Sequence, residues 1–330
     1  MGKEQEILDD SIKEFHLTVP VVLITYKRLD TTKIVFEQIR KARPEKLYLI
    51  SDGPKEGAQQ DAAKIAAVRD YLDKAVDWDC QVVRDYSEYN QGCKTRIVTG
   101  IDHVFENEEC AIIIEDDVSI HDTFFEFCQI MSEYYKDDER IGMVQCLNMC
   151  PDYINKDNRQ YYFSRYAATW GGWLTWKRVW KTYSVSTPDY EEICSDKRLE
   201  KYWDKWYGGE VSRGLQRVEE GRVQAWDYQF WYTLARNNQL VIVPAQNLAG
   251  NIGFDMEDAT HTTGKCIWKF PPGEITFPIA RRNDYAIEED FDRLYSDTYY
   301  KKNIIQVIYG FVMSHVLDFL KYCGIIKSNE

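Results

Sequence analysis

Short apolar runs alternate with amphipathic stretches from Pro20 to Val144, and this alternation constrains the fold more than any other feature. The clearest run, Ala111–Ile114, is apolar throughout, as expected for a central strand that is buried on both faces. Strands that alternate with amphipathic helices are typical of a mainly parallel sheet covered by helices. The sequence therefore predicts an α/β fold with such a sheet.

The same periodicity predicts the individual elements. The predicted strands are Val21–Ile24, Lys46–Ser51, Gln81–Val83, Ala111–Ile114 and Ile141–Val144. Four helices are predicted from the apolar residues that share one face: Ile34, Val35 and Ile39; Ile65, Val68 and Leu72; Ile97, Ile101 and Val104; and Phe124, Phe127, Cys128 and Met131. Asp30 or Thr31 is expected to cap the first of them.

Composition excludes several classes of protein. With 330 residues, 44% of them hydrophobic, the chain is long enough for a substantial core. Its formal charge of -13 argues against binding to nucleic acid, which needs a basic field. The nine cysteines are scattered, without the spacing of a zinc site, which suits a reducing compartment.

The two ends of the sequence bear on where the protein is located. Residues 1–13 are charged and lack the apolar core of a secretory signal, so a cytoplasmic location is expected. The uncharged stretch Asn303–Leu317 is shorter than the roughly 20 residues that span a bilayer. Residues 299–321 instead resemble an amphipathic helix, for which packing on the protein and peripheral contact with the inner membrane face are both open interpretations.

Three adjacent acids, Glu115, Asp116 and Asp117, follow the predicted central strand. Ligands of open α/β sheets bind at the carboxyl ends of the strands, so these side chains are expected at a ligand site. Mn²⁺ or Mg²⁺, bound with the help of ligand phosphates, would offset their repulsion. A solvated turn or a helix cap is the alternative interpretation.

Other phosphate-binding motifs were not found. The chain has no Gly-x-x-x-x-Gly-Lys-Ser/Thr loop and no Gly-x-Gly-x-x-Gly after the first strand, which argues against P-loop hydrolases and Rossmann dehydrogenases. The acidic triplet also lacks the spacing and the glycine of an EF-hand.

Residues 112–127, Ile-Ile-Ile-Glu-Asp-Asp-Val-Ser-Ile-His-Asp-Thr-Phe-Phe-Glu-Phe, resemble a variant of the Asp-x-Asp motif. On this segment the chain resembles the GT-A fold glycosyltransferases, above all the N-acetylglucosaminyltransferase I type and bacterial family 2-like enzymes. The resemblance covers roughly residues 20–263. It implies a GT-A type, Rossmann-like fold, a nucleotide-sugar donor and a saccharide or glycoconjugate acceptor.

The resemblance also implies roles for residues at the strand ends. Asp117 would bind the metal, and Glu115 and Asp116 would lie beside the ribose and the donor sugar. The segment Pro20–Arg28 would place Thr25, Tyr26 and Arg28 around the nucleotide, and Asp52 falls where the family contacts the base. Residues 90–96 resemble an Asn-x-Gly-x-x-x-Ala-Arg segment, which would bring Lys94 or Arg96 to the phosphates.

Two tryptophan motifs extend the resemblance to the acceptor side. Residues 168–174 resemble a Gly-x-Gly-Trp segment near donor and acceptor, which implies site roles for Gly172 and Trp173. Because Trp173, Trp176 and Trp180 recur at helical spacing, helix packing into the core is the alternative, and we assign Trp176 and Trp180 to the core.

The catalytic base is expected at Asp227, because Trp226-Asp227 resembles the family's Trp-Asp-Asp-Trp stretch, with Tyr228 in place of the second acid. A helix cap is the alternative for Asp227. Asp255, Glu257 and Asp258 are rival bases in a stretch, residues 251–264, that resembles a loop closing over the nucleotide. His261 in this loop is a candidate ligand of metal or phosphate.

These observations predict three segments: a nucleotide-sugar-binding part at residues 17–150, an acceptor-side part of the same domain at 151–290, and a helical tail at 291–330. The predicted activity is metal-dependent, inverting glycosyl transfer, with UDP-N-acetylglucosamine as first donor by resemblance. The alternatives are a carbohydrate-binding protein with a structural cation and a sugar-nucleotide nucleotidyltransferase. The latter is expected to carry a glycine-rich loop where residues 26–28 read Tyr-Lys-Arg.

Overall fold

A computed structural model of the chain describes residues 15–153, 157–187, 210–253 and 273–300. The chain divides into two units, residues 1–185 with 224–288, and residues 186–223 with 289–330. His261 and nearly all of the predicted C-terminal helix lie outside the described residues, and the predicted divisions at residues 150 and 290 stay predictions.

The first unit is built on a sheet with eight strands in the described residues. Its strands are β1 (Val21–Thr25), β2 (Lys46–Ser51), β3 (Gln81–Tyr86), β4 (Cys110–Glu115), β6 (Ile141–Gln145), β7 (Tyr161–Ser164), β8 (Trp173–Trp176) and β9 (Leu240–Pro244). A separate pair is formed by β5 (Val118–Ile120) and β10 (Ala249–Asn251). The helices of this unit are α1 (Leu29–Ala42), α2 (Gln59–Ala75), α3 (Cys93–Asn107), α4 (Thr123–Tyr135), α5 (Lys177–Trp180) and α7 (Asp227–Arg236).

The strand order is β3-β2-β1-β4-β8-β6-β9-β7, in which β8 and β7 run antiparallel to their neighbours. The mainly parallel, Rossmann-like sheet flanked by helices is therefore confirmed. The chain moves outward from β1 to β3 and then returns to place β4 on the other side of β1. This reversal opens a crevice at the carboxyl ends of β1 and β4, where open α/β sheets bind ligands.

The core explains why these segments are strands. Residues Ile112–Ile114 of β4 are at most 1% exposed, as expected for a central strand, between β1 and β8, with both faces of the sheet covered. Burial of one such side chain stabilises the fold by roughly 1.5–3 kcal/mol. The expected inward faces of α2, α3 and α4 are all buried, which confirms those three helices.

Two local expectations were wrong. Helix α1 begins at Leu29, so neither Asp30 nor Thr31 is its cap, and Ile34 is 51% exposed. Phe36 takes the inward position instead, since it lies closer to the centre of the buried face. In the tryptophan segment, residues 173–176 form strand β8, so the alternative of one continuous helix is wrong, whereas Trp176 and Trp180 lie in the core as predicted.

The second unit includes α6 (Glu210–Glu219) and α8 (Glu289–Tyr299) among its described residues. In α6, Val211 and Leu215 are buried, and in α8 so are Phe291 and Tyr295. In the described part of the chain, no helix is both long and apolar enough to cross a membrane.

Candidate functional site

A cavity of about 360 Å³ lies at the carboxyl ends of β1, β2 and β4 in the first unit. Its lining brings together segments that are as much as 227 positions apart in the sequence. The lining residues are Ile24, Thr25, Tyr26, Lys27, Arg28, Asp52, Lys55, Asn90, Gly92, Cys93, Arg96, Ile97, Glu115, Asp116, Asp117, Trp170 and Asn251.

The acidic triplet forms one wall of this cavity, and Arg28 binds two of its members. The Arg28 guanidinium donates to Asp116 Oδ1 at 2.5 Å and to Asp117 Oδ2 at 2.9 Å. The other oxygen of Asp116 accepts the Tyr26 backbone N–H at 3.2 Å. Both side chains of the acid pair are at least nine-tenths buried. Arg28 therefore joins the end of β1 to the end of β4.

One guanidinium does not balance three carboxylates. Burial, followed by the charges of Asp117 and Asp116, raises the pKa of Glu115 to about 8. Burial also raises the pKa of Asp116 to about 6, although Arg28 opposes this shift. The surroundings therefore do not stabilise all three acids in their ionised form, and a further cation would favour ionisation.

The carboxylates of the acidic wall could contribute ligands to a cation. Among the residues that the structure describes, no three His, Cys, Asp or Glu side chains are arranged to hold a metal ion. Mg²⁺ in phosphate sites is commonly bound through one or two carboxylates, with phosphate and water completing the shell. Asp117, with its unbalanced neighbours, meets that requirement.

The cavity lining also includes Arg28, the residue before α1, and the first residues of α3. Helix α1 follows Arg28 directly, and α3 follows Gly92, whose φ of +82° suits glycine. Backbone N–H groups and the helix dipole make such ends favourable for phosphate. The negative wall therefore faces groups that attract an anion.

Asp52 organises the loop before α3. Its Oδ1 accepts the backbone N–H groups of Gly53 at 2.9 Å and Gln91 at 2.8 Å. Its Oδ2 accepts the Asn90 side-chain amide at 2.9 Å and the Gly92 N–H at 3.0 Å. With four donors on one buried carboxylate, Asp52 fixes the position of this loop at the cavity.

The basic residues differ in how they are held. Arg96 is 3% exposed and pairs with Asp85 at 2.6 Å, while its Nε has no hydrogen-bond partner. Lys27 pairs with Asp61 at 3.0 Å. Lys94 is half-buried and, in contrast to Arg96, does not line the cavity. Arg96 is therefore the member of the predicted pair that reaches this space.

Asp227 is the first residue of α7, and Trp226 holds the cap position. Its carboxylate is near enough to the triplet to raise the pKa of Glu115, after the larger effects of burial and of Asp117 and Asp116. At Cys93, burial and then Glu115 and Asp227 raise the thiol pKa to about 12. The charge of Asp227 therefore acts on two residues of the cavity lining, Glu115 and Cys93.

The tryptophan segment reaches the cavity through a different residue from the one expected. Trp173 is 1% exposed and stacks on Trp226, with ring centroids 5.6 Å apart. Gly172 has a φ of +81° and precedes it in the turn before β8. Trp170 lines the cavity and packs against Trp231 at 5.6 Å.

The predicted site residues fall into two groups by position. The cavity lining includes Thr25, Tyr26, Arg28, Asp52, Arg96, Glu115, Asp116 and Asp117, whereas Lys94, Gly172, Trp173 and Asp227 are not part of it. Sequence reasoning did not select Lys55, Cys93, Trp170 or Asn251. Lys55 lies shortly after the end of β2, and Trp170 lies within the tryptophan motif of residues 168–174. Closeness to a strand end and to that motif is the sequence signal that could have identified them.

No protein-family model matches the chain, and no curated protein sequence matches it either. Solved structures with similar folds do match. A mannosyltransferase from Pyrobaculum calidifontis, in complex with GDP-Man and Mn²⁺, is 13% identical with a TM-score of 0.32, and the match covers 51% of this chain. The chain spans about half of that protein, 46% of its length.

Two further solved structures match over more of this chain. Apo UDP-glucose pyrophosphorylase is 9% identical with a TM-score of 0.34, over 69% of this chain and 90% of that one. An inositol-1-phosphate CTP transferase from T. maritima is 8% identical with a TM-score of 0.33, over 70% of this chain and 86% of that one.

Proposed function

We propose that this chain is an enzyme that transfers a sugar from a nucleotide-diphosphate donor to a hydroxyl of a saccharide or glycoconjugate. The observation that carries the proposal is the cavity at the strand switch point, whose lining combines the triplet Glu115–Asp117 with Arg28 before α1 and the first residues of α3. Anion-attracting groups opposite an under-compensated acidic wall suit a diphosphate that is bound together with a divalent cation.

In this proposal the residues of the cavity have distinct tasks. Asp117 would hold Mn²⁺ or Mg²⁺, which supplies a Lewis acid that offsets the charge of the leaving diphosphate. The N-terminal ends of α1 and α3 hold the phosphates, and the loop anchored by Asp52 holds the nucleoside. His261 stays a proposed ligand of metal or phosphate.

Asp227 would act as the general base. In an inverting displacement, the acceptor oxygen attacks the face of the sugar opposite the leaving group, so the base must lie across the sugar from the diphosphate. Asp227 is the first residue of a helix whose following residues are buried, so the backbone that carries its carboxylate is held in a fixed position. Its electrostatic effect on Glu115 supports a place near the reacting centre.

The link between β1 and α1 favours this function over nucleotidyl transfer. Only Tyr26, Lys27 and Arg28 separate the strand from the helix. That link contains no glycine and is too short for the glycine-rich loop expected of a sugar-nucleotide nucleotidyltransferase. A carbohydrate-binding protein without activity is the remaining alternative.

One pair of assays separates these functions. Thermal unfolding is first measured against a panel of nucleotide sugars with Mn²⁺, beginning with UDP-N-acetylglucosamine, since saturating ligand at about 100 times Kd adds roughly 2.7 kcal/mol. The stabilising donor is then incubated with the protein. Release of nucleoside diphosphate supports glycosyl transfer. Nucleoside triphosphate formed only with added pyrophosphate indicates a nucleotidyltransferase, and the absence of either product indicates a binding protein.

A further inference from the structure

Arg28 occupies the side of the acidic wall that a cation would approach. Its two terminal nitrogens bind one oxygen of Asp116 and one of Asp117, and its side chain is 18% exposed. Gly253 packs against this pair so closely that a Cβ there would lie 2.8 Å from both Arg28 Nη1 and Asp117 Cβ. The pair is therefore closely packed on the side of Gly253 and open to the cavity on another.

A divalent cation and the guanidinium compete for the same carboxylate. Asp117 Oδ2 is already bound by Arg28, and both Asp116 oxygens are used, one by Arg28 and one by the Tyr26 N–H. In the structure, Arg28 is the countercharge of the acid pair. A cation therefore binds the Asp117 carboxylate most strongly when the Arg28 guanidinium has left it.

The cavity offers Arg28 another partner. The guanidinium fork matches phosphate as well as carboxylate, and Arg28 lines the same cavity as Gly92 and Cys93 at the N-terminal end of α3. We propose that Arg28 is a positioning residue that exchanges partners, binding Asp116 and Asp117 in the free protein and the donor's diphosphate when a cation reaches Asp117. This inference rests on the proposed function for its second partner.

Partner exchange makes cation and diphosphate binding cooperative. The diphosphate draws Arg28 off the carboxylates, which frees Asp117, and the cation in turn releases Arg28 for phosphate. Coupling between two ligands is reciprocal and is typically about 5- to 150-fold in affinity. Wild-type protein is therefore expected to bind Mn²⁺ weakly alone and more tightly with a nucleoside diphosphate.

The test is a Mn²⁺ titration, followed by electron paramagnetic resonance, of wild-type protein and the variant Arg28→Met without nucleotide. Removal of the competing guanidinium should tighten Mn²⁺ binding by roughly the coupling factor of 5- to 150-fold. Lys27→Met is the matched control, since it removes a positive charge from the same cavity, but one paired with Asp61. That control should bind Mn²⁺ nearly as the wild type does.

A second titration with UDP and with GDP measures the coupling, which should be smaller in Arg28→Met than in wild type, because only the direct coordination of the cation by phosphate remains. Equal Mn²⁺ affinity of Arg28→Met and wild type without nucleotide, or an equal gain in Lys27→Met, overturns the proposal. If Arg28→Met does not fold, Arg28→Lys decides, because lysine lacks the planar guanidinium fork that binds both carboxylates, and Mn²⁺ should again bind more tightly than in wild type. Failure of every nucleotide to bind overturns the proposed function, whereas the nucleotide-free titration still tests the competition.

Discussion

Gly253 lies against the Asp117 side chain with only 2.8 Å between the Asp117 Cβ and the place where a side chain at Gly253 would begin. Contacts under about 3 Å are essentially never made by real Cβ atoms, so a larger residue there must displace the acid or its partner Arg28. The main chain holds the acid pair on a second side as well, because the Ile252 N–H donates to the Asp117 carbonyl at 2.8 Å.

Gly253→Ala is therefore expected to weaken Mn²⁺-dependent nucleotide binding by displacing Asp117. Calorimetric titration with Mn²⁺ and the stabilising nucleotide measures the effect. Gly142→Ala is the control, since a Cβ there would meet Leu234 and Gln239 in the core, away from the triplet. It should lower stability and leave nucleotide affinity intact. Wild-type affinity in Gly253→Ala would mean that the close packing does not position Asp117.

Asp117→Ala should abolish the dependence of nucleotide binding on Mn²⁺, because the variant loses the carboxylate proposed to bind the cation. The fold should survive, since one acid fewer reduces repulsion within the wall. Asp122→Ala, which removes an exposed acid paired with Lys41, is the matched control. Titrations with and without EDTA provide the measurement, and an unchanged EDTA effect in Asp117→Ala contradicts the assignment.

The raised pKa values of the wall predict a pH dependence of stability. Glu115 has a pKa of about 8 and Asp116 of about 6, above their ordinary values of 4.5 and 3.8. The folded state then binds more protons than the unfolded state across this window, so the free energy of unfolding falls as pH rises from about 4 to 8. A bound cation takes the place of those protons, so the free energy of unfolding should no longer fall as the pH rises.

Thermal unfolding with EDTA and with Mn²⁺ at pH 6, 7 and 8 measures this effect. The stabilisation by Mn²⁺ should increase with pH. Glu115→Gln isolates the contribution of Glu115, because its side chain does not titrate, and the variant should lose part of the pH slope. A slope that is identical in Glu115→Gln and wild type would show that Glu115 does not carry it.

The sequence predicts the strands that position the site, for a physical reason. Segments such as Ile112–Ile114 are buried on both faces, so every residue in them is apolar. Such a continuous apolar run is recognised without knowing which residues face which side of the sheet. The helices α2, α3 and α4 bury one face each and show clear periodicity. On α1 the apolar residues spread over a wider arc than the core accepts, which left Ile34 exposed.

Contacts between distant segments could not be predicted in the same way. Arg28 and Asp116 are 88 positions apart, and Asp52 and Gly92 are 40 apart, so no local pattern records either pairing. The family resemblance predicted that these residues share one site, but it did not predict the hydrogen bonds between them. Around Trp173, a strand followed at once by a short helix mimics helical spacing, and over so few residues periodicity does not separate the two.

Asp52→Asn is expected to loosen the loop before α3. The amide replaces one acceptor oxygen with a donor that faces backbone N–H groups, and a buried unsatisfied group costs about 1–3 kcal/mol. Urea unfolding measures the loss of stability, and hydrogen exchange at the amides of Gln91 and Gly92 locates it. Asp70→Asn, an exposed acid paired with Lys74, is the control. Unchanged exchange at both amides contradicts an anchoring role for Asp52.

The acceptor side provides the last prediction, because a general base must have both a fixed position and access to the reacting centre. Asp227 is held at the start of α7, where Phe230 and Leu234 are buried. Its carboxylate acts on the pKa of Glu115 and on that of Cys93, which lines the cavity. Among the acids outside the triplet, it therefore combines a rigid support with electrostatic proximity to the proposed donor site.

Asp227→Asn preserves the shape of this side chain and removes its basicity, so turnover should fall by about 10²- to 10⁴-fold, the usual contribution of a general base. Donor affinity should remain near that of the wild type, since the residue does not line the cavity. Initial rates and donor titrations measure the two effects, and nuclear magnetic resonance of the product should show an inverted anomeric centre. Near-normal turnover or a retained configuration would exclude Asp227 as the base and transfer attention to Asp255, Glu257 and Asp258.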